Sequence, residues 1–303
     1  MVWVTWRQHR GALVGTLAVT VLVSALLAWM GQGVAELNAA CAAHDCWTGV
    51  AGALGDQVRF VYAALYLGQP ALAGLIAVFW GAPLLAREFE QRTNLLAWSQ
   101  DVTPLRWLGG KIALLGAAAV VLSAVVAIVS WQLIGEMKAS GETAFGMSDY
   151  RALELWPPTQ VLYTLFGFAL GLVVGLLTRR TVLAMGVTLV VFAGVRFLVA
   201  YTVLWWQPPV RLLVPASAAS PFPPGAYELG ISYLDSSGQL VTRIPCPDTE
   251  CLVAHGVPTQ ELVFQPIDRL GSFQWMEVIA YALLTVVLAG VAWTVVRRAT
   301  RVS

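Results

Sequence analysis

Six long stretches of this chain are almost without charge, and each is long enough to form a membrane-spanning helix. Four contain no Asp, Glu, Lys or Arg: 11–35, 60–86, 112–135 and 155–178. Residues 181–210 contain one charged residue, Arg196, and residues 270–296 contain one, Glu277. A transmembrane helix needs about 20 predominantly apolar residues. The pattern predicts six transmembrane helices, at roughly 11–30, 62–86, 112–134, 158–178, 182–205 and 273–296.

The composition of the chain agrees with a membrane environment. Of its 303 residues, 58% are hydrophobic and 12% are charged, whereas soluble domains usually carry about 25% charged residues. Buried helices of a soluble protein are the alternative, but six such runs in one chain disfavour it. The run after Arg10 is too long for a signal peptide and is followed by five more spans. We therefore predict an all-α polytopic membrane protein.

Basic residues are distributed unevenly between the two sides of the predicted bundle. The N-terminus, residues 87–111, the 179–180 turn and the C-terminal tail together carry eleven basic and three acidic side chains, a net charge of +8. The opposite side carries six basic and thirteen acidic side chains. Cytoplasmic loops are enriched in Lys and Arg, so we expect both termini in the cytoplasm of a plasma-membrane protein. The asymmetry gives no support for a nucleic-acid partner.

The chain divides into three parts along its sequence. Residues 1–205 contain spans one to five, and MVWVTWRQHR at its start is either an N-terminal interfacial helix or a plain flank of the first span. Residues 206–272 form an extracellular segment, and residues 273–303 hold the sixth span and a cytoplasmic tail. In the extracellular segment YELGISYL and QLVTRI flank the turn residues DSSG, a β-hairpin signal within a small cap.

All four cysteines lie on the predicted outer side, in two C-x4-C pairs. We expect the disulfides Cys41–Cys46 and Cys246–Cys251, because this compartment is oxidising. A metal site is the alternative, since His44 and His255 accompany the pairs, but the spacing is not that of a zinc module. No metal site is therefore predicted.

Two features lie inside the predicted spans. Arg196 and Glu277 both fall in the outer half of the bilayer, where ionisable groups normally face the bundle interior with a partner. They are interpreted as an ion pair that fixes helix register, or as residues that bind or gate a substrate. Gly167, Gly171 and Gly175 form a smooth helix face that suits close packing within a bundle or across a dimer, with a hinge as the alternative.

The sequence lacks the motifs of common catalytic sites. There is no phosphate-binding loop, no H-E-x-x-H motif and no G-x-S-x-G elbow. We therefore expect no enzyme activity and no cofactor in this chain, and a membrane-embedded enzyme is disfavoured as a function.

The charged stretch after the second span is more elaborate than a turn requires. Leu85, Phe89 and Leu96 recur near helical spacing among charged residues, which predicts that the helix continues beyond Ala86. Thr103 and Pro104 then indicate a new helix start, with Thr as N-cap and Pro as the first helical residue. The chain uses about 25 residues here, so we expect a partner to contact this shape.

The stretch AREFEQRTNLLAWSQDVTPLRWLGGK, residues 86–111, resembles the cytoplasmic signature of ABC-2-type permeases, the membrane subunits of ABC exporters. TWRQHR, FQPIDRLGSFQWMEV and the six-span plan are similar to a subgroup of these permeases. The resemblance implies a coupling helix at about 84–104, with these residues facing a groove on a separate ATPase: Arg87, Glu88, Glu90, Arg92 and Thr93. It also implies that ATP and Mg²⁺ bind to that ATPase and that spans one, two and five line the transport path.

The predicted function is therefore the permease subunit of an ATP-driven exporter of an amphipathic or lipid-like small molecule. Its expected partners are two copies of a cytoplasmic ABC ATPase, a second permease, identical or related, and the lipid bilayer. A membrane-bound sensor or immunity protein, binding a ligand through its outer loops without transport, is the alternative. The sequence does not identify the substrate.

Overall fold

The computed structural model describes residues 2–41, 55–91, 104–140, 147–218, 222–241 and 249–302. Within these residues, six helices are long and apolar enough to cross a membrane, which confirms the six predicted spans. They are taken below as spans one to six: Arg10–Cys41, Arg59–Glu90, Gly109–Ala139, Pro157–Thr178, Thr181–Trp205 and Ile267–Arg298.

Most of the helices extend beyond the charge-free runs from which they were predicted. Their bounds are Val2–Cys41, Gly55–Ile76, Ala82–Glu90, Pro104–Ala139, Pro157–Thr178, Thr181–Thr202 and Leu270–Val302, with one short helix at Thr249–Ala254. Residues 2–10 are continuous with the first span, and an interfacial position for them stays a prediction. Pro104 and Pro157 are each the first residue of a helix, where the missing amide hydrogen breaks no helical hydrogen bond.

The contacts divide the chain into two compact units, each described by itself. The first contains residues 1–147, 154–200 and 274–303, and the second contains residues 148–153 and 201–273. In the first unit, span one packs along span three. Near one end, the Asn38 amide donates to the Glu136 carbonyl at 3.0 Å, and the Ser140 hydroxyl donates to Asn38 Oδ1 at 2.7 Å.

Span four lies at the centre of the first unit. In its most apolar stretch 72% of the residues are buried, against 11% in span one. Its glycine face receives span two where that span forms a π-helical turn, Ala77–Gly81. A Cβ added to Gly171 would lie 2.6 Å from the Ala82 nitrogen, and one added to Gly81 would lie 2.6 Å from the Phe168 carbonyl oxygen. Only glycine permits these two backbones to approach so closely.

The second unit contains a three-stranded antiparallel sheet. The strands are β1 (Val210–Pro215), β2 (Tyr227–Leu234) and β3 (Thr259–Gln265), and β3 lies between the other two. Tyr150 packs in the adjoining core and donates from its hydroxyl to the Pro266 carbonyl at 2.6 Å. Burial, together with the nearby Asp268 carboxylate, raises the pKa of Tyr150 to about 12.

The predicted hairpin is only part of this sheet. YELGISYL is strand β2 and turns back at residues 235–239, where one bridge joins Leu234 to Leu240. The Asp235 carboxylate accepts hydrogen bonds from the Ser237 hydroxyl and from the Gln239 and Ser237 amides in this turn, which lowers the pKa of Asp235. The main partner of β2 is nevertheless β3, and residues 242–248 lie outside the described part of the chain. The sequence reading missed both β1 and β3, because neither is bounded by a short turn that indicates pairing.

Candidate functional site

The end of span two is anchored to three other parts of the first unit. The helix Ala82–Glu90 buries Ala82, Leu84, Leu85 and Ala86, while Arg87 and Glu90 are exposed. This amphipathic pattern agrees with a helix end that lies half against the bundle and half toward a surface. The contacts that follow define the coupling cluster, which consists of Glu88, Phe89, Glu90, Lys111, Arg179 and Thr181.

Glu88 forms a salt bridge with Lys111, at the start of span three. Both side chains are nearly out of solvent, with 13% of the Glu88 side chain and 3% of the Lys111 side chain exposed. Removing one partner of such a pair leaves a buried charge without compensation, which is strongly destabilising. The ends of spans two and three are therefore held together by an electrostatic contact.

Glu90 connects span two to the start of span five. Its carboxylate accepts hydrogen bonds from the Thr181 amide at 3.0 Å and from the Thr181 hydroxyl at 2.6 Å. An acidic group at a helix N-terminus satisfies a free amide and interacts favourably with the helix dipole. Arg179, which ends span four at φ 53°, holds its guanidinium 5.4 Å from the centre of the Phe89 ring. One turn of helix thus contacts both sides of the span four–span five connection.

The five residues predicted to face an ATPase are placed differently from one another. Arg87 is exposed, whereas Glu88 and Glu90 make the intramolecular contacts just described. The helix ends at Glu90, and Arg92 and Thr93 lie outside the described residues. The further course of the predicted coupling helix to about residue 104 falls largely outside them as well, up to the helix that starts at Pro104.

A second polar group lies within the first unit, around Arg196. Its Nη2 atom lies 3.1 Å from Glu154 Oε2, and its Nη1 atom lies 3.5 Å from Glu277 Oε1. The Glu277 side chain is fully buried, and 28% of the Glu154 side chain is exposed. The two residues singled out from the sequence, Arg196 and Glu277, are thus brought together with a third charge.

Tyrosine side chains complete this Arg196 cluster. The Tyr163 hydroxyl donates to Glu277 Oε1 at 2.5 Å, and the Arg196 guanidinium lies 3.5 Å from the centre of the Tyr163 ring. Tyr163 also packs edge-on against Tyr281 at 4.7 Å between ring centres. No sequence signal marks these tyrosines, which lie in apolar runs, and Glu154 directly precedes the charge-free run 155–178.

The Arg196 cluster has one basic and two acidic groups. If all three are ionised, its net charge is −1 and its polar groups are incompletely matched. Among the described residues, Glu277 Oε2 and Arg196 Nε have no hydrogen-bond partner. The arrangement can fix the register of spans four, five and six, and it can bind a polar group of a passing ligand.

The predicted disulfide sites lie only partly within the residues that the structure describes. Cys41 ends the first helix and Cys251 lies in the short helix Thr249–Ala254, and no described cysteine is free. Cys46, Cys246 and His44 lie outside the described residues, so the two disulfide pairings stay predictions. Within the described ranges, no group of three or more His, Cys, Asp or Glu side chains is placed to hold a metal ion.

Comparison with known proteins gives one positive result. The sequence pattern of a family described as "ABC-2 membrane transporter related" matches residues 12–204. This range covers the first five spans and includes the coupling cluster. Comparison with curated proteins and with solved structures gave no match.

Proposed function

Because the chain belongs to the ABC-2 membrane transporter related family, we propose that it is the permease subunit of an ATP-driven exporter. Members of this family are membrane components that work with an ABC ATPase and are not themselves catalytic. We propose two ATPase copies and a second permease copy or a related permease. The complex would lie in the plasma membrane with both termini in the cytoplasm and move an amphipathic or lipid-like small molecule outward.

The observation that carries this proposal is the coupling cluster. A force applied to the exposed Arg87 reaches Glu88 and Glu90 within one helical turn. From there it passes to span three through Lys111 and to span five through Thr181. A simple solvated loop needs no such links. A subunit that receives mechanical input at one end of span two does need them, because packed helices move as rigid bodies.

The cluster also supports a division of labour among the predicted coupling residues. Arg87 is proposed to contact the ATPase, together with Arg92 and Thr93. Glu88 and Glu90 are proposed to transmit the movement within the permease, since their carboxylates are already engaged by Lys111 and Thr181. ATP and Mg²⁺ would bind in the partner, and this chain would contribute the path and its opening.

Charge reversal tests this division. In a reconstituted complex, Arg87→Glu should release the ATPase from the permease, because the exposed contact changes sign. Glu90→Gln should leave the complex intact but reduce substrate-stimulated ATP hydrolysis, because it weakens the link to span five. The measurements are co-purification of the ATPase and the ratio of ATPase rates with and without substrate.

The matched control is Arg211→Glu, an exposed arginine in strand β1 that should change neither measurement. Membranes from which the tagged chain never recovers an ATPase, even without mutation, would contradict the transporter proposal. That outcome would favour the alternative, a sensor or immunity protein. The sensor alternative has one observation in its support, the separately packed unit of residues 148–153 and 201–273 that contains the sheet.

A further inference from the structure

An apolar groove lies between spans three, four and six, and none of its lining residues belongs to either cluster described above. Its volume is about 380 Å³. Its walls come from residues 109–117 of span three, 165–172 of span four and 285–296 of span six. All three segments belong to the first unit; those of spans three and six lie toward the ends that carry Lys111 and Arg298, and that of span four lies near its middle.

The groove walls offer almost nothing to a polar ligand. Span three contributes glycine, alanine and one isoleucine, and the other two spans contribute mainly leucine, alanine, phenylalanine and valine. The Thr285 hydroxyl, one of the few polar groups, donates to the Tyr281 carbonyl of its own helix at 2.7 Å. Water and polar solutes gain no hydrogen bonds in such a site, whereas an aliphatic chain gains apolar contact on three sides.

The length of the groove matches one leaflet of a bilayer. Along span six it extends from Thr285 to Val296, which corresponds to about 16 Å at 1.5 Å rise per residue. Half of a hydrocarbon core about 30 Å thick is about 15 Å. A single acyl chain that enters from the nearest leaflet would therefore fill the groove along its length.

The end of the groove nearest the helix termini is basic and aromatic. Trp293 lines the groove, and the Arg297 guanidinium lies 4.7 Å from the centre of its ring. Arg298 follows and is exposed. Tryptophan and arginine at this level are typical of a membrane–water interface, and paired basic residues attract anionic headgroups.

We propose that this groove is a binding site for an anionic phospholipid. One acyl chain lies between spans three, four and six, and the headgroup phosphate lies near Arg297 and Arg298. The site is separate from the proposed transport path, so it holds a resident lipid that stabilises the packing of these three spans. This proposal does not depend on the exporter function.

Native mass spectrometry of the full chain in mild detergent tests the acyl-chain part. The protein is reconstituted with equal amounts of phosphatidylglycerol and phosphatidylcholine before extraction. We expect a retained phospholipid in the unchanged protein and its loss in Ala289→Phe, which fills the groove. Val286→Phe is the matched control, since Val286 lies on the same helix, is 68% exposed and does not line the groove. Equal retention in the two variants would overturn the proposal.

The headgroup part is tested by the lipid that is retained. The unchanged protein should prefer phosphatidylglycerol, and Arg297→Gln should reduce that preference about fivefold, the effect of one basic residue near an anionic surface. Equal retention of both lipids in the unchanged protein overturns the anionic part. Recovery of a non-phospholipid amphiphile from the groove overturns the proposal as a whole. Thermal unfolding of each variant, compared with Val286→Phe, identifies any variant that fails to fold.

Discussion

At the scale of single residues, one guanidinium holds two acidic side chains within the helical bundle. Arg196 contacts Glu154 and Glu277, and Glu277 is the more demanding partner because its side chain is fully buried. Taking a carboxylate out of water is costly unless a positive charge and hydrogen bonds compensate it. Tyr163 supplies one such hydrogen bond, so the cluster acts as a unit rather than as a simple pair.

A double-mutant cycle measures this dependence. Arg196→Met should lower the free energy of unfolding by about 3–5 kcal/mol, because Glu277 is left without its counter-charge. The double variant Arg196→Met/Glu277→Met should recover most of that loss, since apolar residues can replace a buried pair at little cost. The measurement is chemical or thermal unfolding in a fixed detergent.

Two other outcomes of the cycle are informative. If the losses for Arg196→Met and Glu277→Met simply add, the two charges do not stabilise each other and the register interpretation is wrong. If the double variant is stable but no longer transports, the cluster contacts the substrate, which is the alternative interpretation from the sequence.

At the scale of elements, the contact between spans two and four depends on glycine. Gly171 of span four faces the π-helical turn Ala77–Gly81 and the residue after it, Ala82. A π-helical turn inserts an extra residue in the helix and is often found at functional sites. Here it lies about two helical turns before the coupling cluster, so the glycine contact fixes the part of span two that is proposed to move.

Replacing Gly171 by leucine should disrupt this contact. The added Cβ would lie 2.6 Å from the Ala82 nitrogen and 2.8 Å from the Gly81 carbonyl carbon, and backbone atoms cannot move aside as a flexible side chain can. We expect a loss of about 1–3 kcal/mol or more, as for other overpacked cores. Gly290→Leu is the matched control, because a Cβ there meets nothing within 4 Å. Equal melting temperatures for the two variants would show that spans two and four do not pack in this way.

At the scale of the whole molecule, the unequal distribution of charge predicts how the chain sits in the membrane. The side with eleven basic and three acidic residues includes both termini and the coupling cluster. If this side is cytoplasmic, the proposed ATPase contact at Arg87 lies where ATP is available. Evidence that this side is cytoplasmic would therefore support the proposed ATPase contact, and evidence that it is outside the cell would count against that contact.

Reporter fusions test this orientation. Green fluorescent protein fused after Ser303 should fluoresce, because it folds in the cytoplasm, and alkaline phosphatase inserted at residues 236–237 should be active outside the cell. Residues 236–239 of this turn are exposed, which makes the turn a tolerant insertion point. An inactive alkaline phosphatase insertion in that turn together with a dark C-terminal fusion would reverse the orientation and contradict the coupling proposal.

Much of the candidate site was accessible from the sequence, but only as separate residues. Arg196 and Glu277 were noticeable because charges in apolar runs are rare, and Glu88 and Glu90 because charge returns abruptly after 27 uncharged residues. Their partners were not noticeable. Tyr163 is one of three aromatic residues in span four, and Thr181 is an ordinary first residue of a helix, so neither departs from its background.

The sequence alone determined the number of spans and their approximate limits. The thickness of the bilayer sets how long an apolar run must be, and the length of each run can be read directly along the chain. It also determined which helix face is smooth, since the glycines recur at helical spacing. Only the tertiary structure decided what these features contact. Glu90 meets Thr181 across 91 residues and Tyr163 meets Glu277 across 114. Such pairings depend on how the helices pack in three dimensions, which no local pattern in the chain records.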